Sequence, residues 1–158
     1  MMKWYYLVGL TVVVMMSTLL VRIPLPGKGY FNFGDVVVVF AGLYGGKKAG
    51  FVAGAFGSAF ADLIGFPLFA PITFVAKGLE GLICGFGKGL HGWKVYSITS
   101  LGVLAMVAVY FFGSALLPQI GLPGAIAELP ANLIQAGLAV VGGNLVFQAF
   151  DKYSNRII

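Results

Sequence analysis

Long apolar runs, separated by short polar or glycine–proline breaks, fill the chain from end to end. The first run extends from Trp4 to Arg22, with Trp4, Tyr5 and Tyr6 at its start and Arg22 at its close. Interfacial aromatics at one end and a cation at the other are the marks of a helix that crosses a bilayer. A basic start followed by an apolar run is shared with signal peptides. This run, however, exceeds their usual apolar core of about 7–15 residues and lacks an A-x-A cleavage site, so it reads as a first membrane helix. The next segment, Ile23 to Gly34, holds two prolines and three glycines, which forbid a continuous helix. It nevertheless keeps Tyr30, Phe31 and Phe33. Aromatics on an aperiodic loop predict either a lid over a pocket or a loop resting on the membrane interface.

Asp35 opens an apolar run to Leu43 and is placed to N-cap a second helix, which Gly45-Gly46-Lys47-Lys48 closes. At about a dozen residues that helix is short for a span. A third helix is predicted over Ala49 to Ile64, where Gly50-x-x-x-Gly54-x-x-x-Ser58 forms a stripe that lets another backbone approach closely. Asp62 lies near its end. A fourth runs from Ala70 toward Phe86 and a fifth, almost wholly apolar, from Val95 to Leu117. A sixth starts near Ala125, meets a potential break at Pro130 and continues to Phe150.

Composition settles the solvent. Of 158 residues, 59% are hydrophobic and 9% charged, against about 25% charged in a soluble domain. Such a chain cannot cover a water-facing surface. Its length allows five or six crossings at about 20 residues each. The fold class expected is therefore an all-α integral membrane protein, a single membrane-embedded domain over residues 1–158. With six helices, Lys3, Lys47, Lys48, Lys88, Lys94, Lys152 and Arg156 fall on one side, Arg22 and Lys28 on the other. The positive-inside rule then places both termini in the cytoplasm. The same distribution explains the net charge of +5 without nucleic acid. Cys84 is the single cysteine and His91 the single histidine, which leaves no disulfide framework or thiolate metal site. Walker, H-E-x-x-H and G-x-S-x-G motifs are absent, so neither an enzyme nor a resident cofactor is expected.

Against this background the polar residues stand out. Lys77 and Glu80 lie three apart on the fourth helix and share a face, with Thr73 one turn before and Cys84 one turn after. An ionisable residue in a membrane segment costs about 2.5–3.5 kcal/mol on insertion scales and faces protein or water rather than lipid. The pair is either part of an enclosed polar site or an ion pair that only fixes helix register. Lys77 and Glu80 fall about 9–14 Å in from the outer end of their helix. Asp35, Asp62, Glu128, Asn132 and Gln135 are also in the outer half. Asn144 and Gln148, in the inner half, suit helix–helix glue. An externally open binding site is expected, not a continuous pore. Carboxylates, an ammonium, amides and an aromatic lid suit a small polar heteroaromatic ligand. Active movement of that ligand would draw on a partner or an ion gradient, and a stand-alone proton-coupled transporter using Lys77, Glu80 and Asp62 remains an alternative.

Three segments carry a family resemblance: Asn32-Phe-Gly-Asp35, Gly50-Phe-Val-Ala-Gly54-Ala-Phe-Gly57-Ser58-Ala-Phe-Ala-Asp62 and Ala70-Pro-Ile-Thr-Phe-Val-Ala-Lys77-Gly-Leu-Glu80-Gly. They resemble the substrate-binding S components of energy-coupling factor (ECF) transporters, in the branch that takes riboflavin, hydroxymethylpyrimidine or pyridoxine. The resemblance covers nearly the whole chain. It implies a multi-pass protein of a prokaryotic plasma membrane that captures a water-soluble vitamin from outside. It also implies a membrane coupling protein and two cytoplasmic ATPase subunits as partners. The implied substrate residues are Asn32, Lys77, Glu80, Asn132 and Gln135, with Phe31 and Asp62 beside them. Pyridoxine or hydroxymethylpyrimidine is favoured, with riboflavin the alternative. The Ala-x-x-x-Ala docking motif of many S components is missing from the first helix, where Gly9 and Ser17 are the substitutes considered.

Overall fold

The structure, a computed structural model, describes residues 3–24 and 29–154. Lys28 and Arg156, two of the cations used to orient the chain, lie outside the described residues. Helix α1 spans Trp4–Leu20 and leads into a two-residue strand, β1 (Ile23–Pro24). This strand pairs antiparallel with β2 (Tyr30–Phe31), so the aromatic loop is a small hairpin. Helix α2 (Gly34–Gly45) follows. Then comes a continuous rod made of α3 (Lys47–Val52), a π-helical segment (Ala53–Gly57) and α4 (Ser58–Gly65). Helix α5 (Ala70–Cys84) ends in a 3₁₀ turn (Gly85–Gly87), and α6 (Trp93–Leu116) and α7 (Gly121–Ser154) complete six helical rods. Of these, α6 and α7 are long and apolar enough to cross a membrane.

Two expectations about helix ends change. Lys47 and Lys48 do not close the second helix but open α3. Gly46 has φ of 80°, a left-handed conformation that costs glycine little, and its N–H caps α2 through the Gly42 carbonyl at 2.7 Å. Pro130 does not break the last helix: α7 runs through it. The proline removes only the bond to the carbonyl of Ile126, four residues back.

The bundle is inverted relative to a water-soluble protein. Asp35, Asp62, Lys77, Glu80, Glu128, Gln135 and Asn144 are buried, while Val8, Val12, Leu63, Leu101, Leu104 and Phe112 are exposed. Hydrocarbon makes the apolar exterior inexpensive, and polar groups must find partners inside. Asn144 does so by donating to Thr99 Oγ1 at 2.9 Å, which ties α7 to α6 as expected of inner-half glue.

The small-residue stripe acts where it was expected. A Cβ placed on Gly50 would overlap the Gly81 carbonyl, and one on Gly81 would overlap the Gly50 carbonyl. Gly54, inside the π segment, lies equally close to the Lys77 carbonyl. Backbone contact between α3 and α5 therefore sets the depth of Lys77. Gly50→Ala or Gly81→Ala is expected to cost about 1–3 kcal/mol by overpacking, seen as a lower melting temperature in detergent. Gly9→Ala should leave melting unchanged, since nothing lies within 4 Å of its added Cβ.

Candidate functional site

At the end of the bundle where α1 finishes and α2 begins, side chains from α4 and α7 hold the hairpin at three points. The Gly29 N–H donates to Glu128 Oε1 at 2.9 Å, and the Asn32 N–H to Gln135 Oε1 at 2.8 Å. Between them the Tyr30 hydroxyl donates to Asp62 Oδ1. Burial, then the charge of Asp62, pushes the Tyr30 hydroxyl above the ordinary tyrosine range, so it keeps its proton and remains a donor. The Tyr30 ring stacks on Phe66 with centroids 4.4 Å apart, and the Arg22 guanidinium lies 5.0 Å from the same ring. Arg22 also donates to the Ala61 carbonyl, which joins the end of α1 to α4.

Below the hairpin the polar groups form one chain. Gln135 accepts from the hairpin through Oε1 and donates through Nε2 to Asp35 Oδ2. The other Asp35 oxygen receives Lys77 Nζ. Lys77 Nζ is 3.7 Å from Glu80 Oε2, and neither Glu80 oxygen has a hydrogen-bond partner. Lys77 is thus paired first with Asp35, across helices, and only second with Glu80. Asp35 does not cap α2: it lies inside the first turn, and its carboxylate is committed to Lys77 and Gln135. The turn before α2 is closed instead by Asn32 Oδ1, which accepts from the Gly34 N–H at 2.7 Å. A second branch runs through Thr73. Its single hydroxyl proton goes to Asp62 Oδ2, so at 2.8 Å the Tyr110 hydroxyl is the donor to Thr73.

Some of these groups line a cavity of about 20 Å³ under the hairpin, room for about one water. Of the residues proposed from sequence to bind substrate, Asn32, Asp62, Asn132 and Gln135 line it, and so do Tyr30, Thr73 and Glu128, also singled out there. Lys77 and Glu80 are not in its wall and connect to it through Asp35 and Gln135. Phe31 is also outside the lining. It packs edge-on against Phe33 with centroids 5.5 Å apart, and Tyr30 is the aromatic that faces the cavity. Tyr110 and Phe69 line the cavity without having been singled out. A tyrosine within the apolar run of residues 101–113 in α6 was the available signal for Tyr110. Gly9 is exposed on α1, and Ser17 returns its hydroxyl to the Val13 carbonyl at 2.8 Å.

The electrostatics are lopsided. The chain has five acidic residues, and four of them, Asp35, Asp62, Glu80 and Glu128, are buried here. A protein with a net charge of +5 therefore has an acceptor-rich interior. An anionic ligand would meet repulsion, whereas a neutral ring bearing N–H and O–H donors would find partners.

The chain is similar to a known family and to a curated protein. The family model described as ECF-type riboflavin transporter, S component, matches residues 6–152. A Pyrococcus woesei protein described as "Uncharacterized protein in gap 3'region" is 41% identical over 135 residues, 82% of this chain and 90% of its own length.

Proposed function

The chain belongs to the ECF-type riboflavin transporter S-component family, and from that premise we propose that it captures an uncharged, hydroxylated nitrogen heterocycle beneath its hairpin, riboflavin first among the candidates. It is a membrane-embedded transport protein and not an enzyme, and it serves vitamin uptake together with the other components of an ECF transporter. The observation that carries the ligand proposal is the buried carboxylate–amide cluster held under Tyr30. In our reading the six rods each cross a prokaryotic plasma membrane, both termini are cytoplasmic, and the site opens outward. A membrane coupling protein and two ATPase subunits supply the energy for reorientation.

The hairpin suggests how capture works. Its Gly29 and Asn32 N–H groups and the Tyr30 hydroxyl occupy acceptors on Glu128, Gln135 and Asp62. A vitamin needs a pocket of about 300 Å³ or more, far beyond the present cavity. The hairpin must therefore swing away, and the ligand's donors then take over the acceptors it releases. Exchange of one set of hydrogen bonds for another keeps the buried carboxylates satisfied at each end of the motion. Pyridoxine and hydroxymethylpyrimidine, favoured on sequence grounds, are the second reading, because the small cavity needs less widening for them.

Titration calorimetry of the purified chain with all three compounds, paired with quenching of flavin emission by Tyr30 and Tyr110, tests this proposal. Tryptophan emission is a poor reporter, since Trp4 and Trp93 begin α1 and α6 at the far end. Absence of heat with all three compounds would overturn the ligand assignment. The Glu80 carboxylate, ion-paired with Lys77 but without a hydrogen bond, is the observation on the side of proton coupling. Uptake by this chain alone in liposomes, abolished by an uncoupler, would replace the ECF mechanism with that one.

Docking is proposed on the exposed side of α1 around Gly9 and Ser17. Gly9→Trp is expected to leave melting and vitamin binding unchanged while reducing co-purification with the coupling protein several-fold. Undiminished co-purification would move the docking face elsewhere.

A further inference from the structure

At the opposite end of the bundle, a cleft of about 810 Å³ opens between the start of α1, the α2–α3 corner and the turn after α5. That volume falls within the range of about 300–1,000 Å³ typical of ligand sites. Lys3, Lys48 and Lys88 line it, with Trp4 and Tyr5 beside Lys3 and with Leu7, Gly45 and Ala49 also in the wall. No acidic residue is in the lining, and neither ion pair found among the described residues uses these lysines. Lys47, next to Lys48, is turned onto the Phe86 ring, 4.6 Å from its centroid, so it is engaged elsewhere. Asp151, the acidic residue at this end among the described residues, lines a different cleft with His91 and Lys152.

Three cations around an apolar-walled cleft, at the level of an exposed Trp4, match one chemistry closely. A phosphodiester headgroup supplies the anion, and its acyl chains continue along the apolar side of α1. Clustered lysines at a cytoplasmic membrane face attract anionic lipid, and tryptophan prefers the headgroup level. We infer that this cleft binds the headgroup of an anionic phospholipid from the cytoplasmic leaflet.

The test is lipid-selective quenching of Trp4. In a Trp93→Phe chain, Trp4 is the sole remaining tryptophan of two. The chain is reconstituted in phosphatidylcholine vesicles, with bromine carried just below the headgroup of either phosphatidylglycerol or phosphatidylcholine. Brominated phosphatidylglycerol is expected to quench Trp4 at a several-fold lower mole fraction than brominated phosphatidylcholine. Removal of each cleft lysine should lower that preference by up to about fivefold, the factor for about 1 kcal/mol per lysine near a membrane surface. Lys48→Gln with Lys88→Gln should accordingly bring the two lipids close together.

Equal quenching by the two lipids in the parent chain would overturn the site. An equal loss from Lys94→Gln with Lys152→Gln, lysines of the same end outside the cleft lining, would reduce it to diffuse surface attraction. Millimolar inorganic phosphate that abolishes the preference, where chloride of matched ionic strength does not, would make the occupant a free anion and overturn the lipid assignment. None of these readouts involves the vitamin, so failure here leaves the transport proposal untouched, and the reverse also holds.

Discussion

Lys77→Met is expected to destabilise the folded chain by about 3–5 kcal/mol, the range for breaking a buried ion pair from one side. The cause is specific. Lys77 is the sole ammonium between Asp35 and Glu80, and all three side chains are sealed from solvent. Its removal leaves two carboxylates in a low-dielectric interior without a cation, and Glu80 has no hydrogen bond to soften the loss. Adding Asp35→Asn and Glu80→Gln to Lys77→Met removes the uncompensated charge and should recover most of the melting temperature. Ligand affinity should not recover with it, because Asp35 is the group that orients Gln135 from below. Thermal unfolding and calorimetry on the parent, Lys77→Met and the triple variant separate the two effects. If the triple variant melted as low as Lys77→Met, charge would not be the cause and local packing would take its place. Glu80→Ala is expected to weaken binding more than Asn144→Ala, since Asn144 serves the distant α6–α7 contact.

Gln135→Leu is expected to produce the largest loss of ligand affinity among single changes in the cavity wall, about 10- to 100-fold. Among the described residues Gln135 is the one side chain hydrogen-bonded to both the hairpin and the buried ion-pair chain, accepting from Asn32 N–H and donating to Asp35. A hydrogen bond to a charged group is worth about 1.5–3 kcal/mol, which converts to that range. Leucine fills a similar volume but leaves the Asn32 N–H and one Asp35 oxygen without partners. Stability should fall less than for Lys77→Met, because no net charge is stranded. Gln135→Glu would separate shape from charge: it keeps an acceptor for Asn32 but sets a second carboxylate against Asp35, and affinity should fall there too. An affinity unchanged in Gln135→Leu would remove this residue from the binding apparatus and leave it a hairpin anchor.

The expectations that held and those that failed divide along one physical line. Hydrophobic run length, interfacial aromatics and small-residue spacing are local properties, so the helices and the α3–α5 glycine contact were legible. So was the face shared by Lys77 and Glu80, because three residues on a helix fix it. Asp35 was misread as a cap for the same reason. Its position before a valine run has a satisfactory local explanation, and the lysine that claims it lies 42 residues away. Phe31 and Tyr30 are adjacent loop aromatics, and strand alternation in a two-residue hairpin decides which one faces inward.

The chain's own order of residues determined that it is helical and apolar on the outside, and that several charges must be hidden within it, because burial of a charge in hydrocarbon is costly wherever it occurs. Which charges meet was decided only by packing. Glycine contacts set the depth of α5 against α3, α7 brings Gln135 and Glu128 over from about a hundred residues on, and a polar group in a lipid-excluded interior must pair with whatever those contacts place within reach.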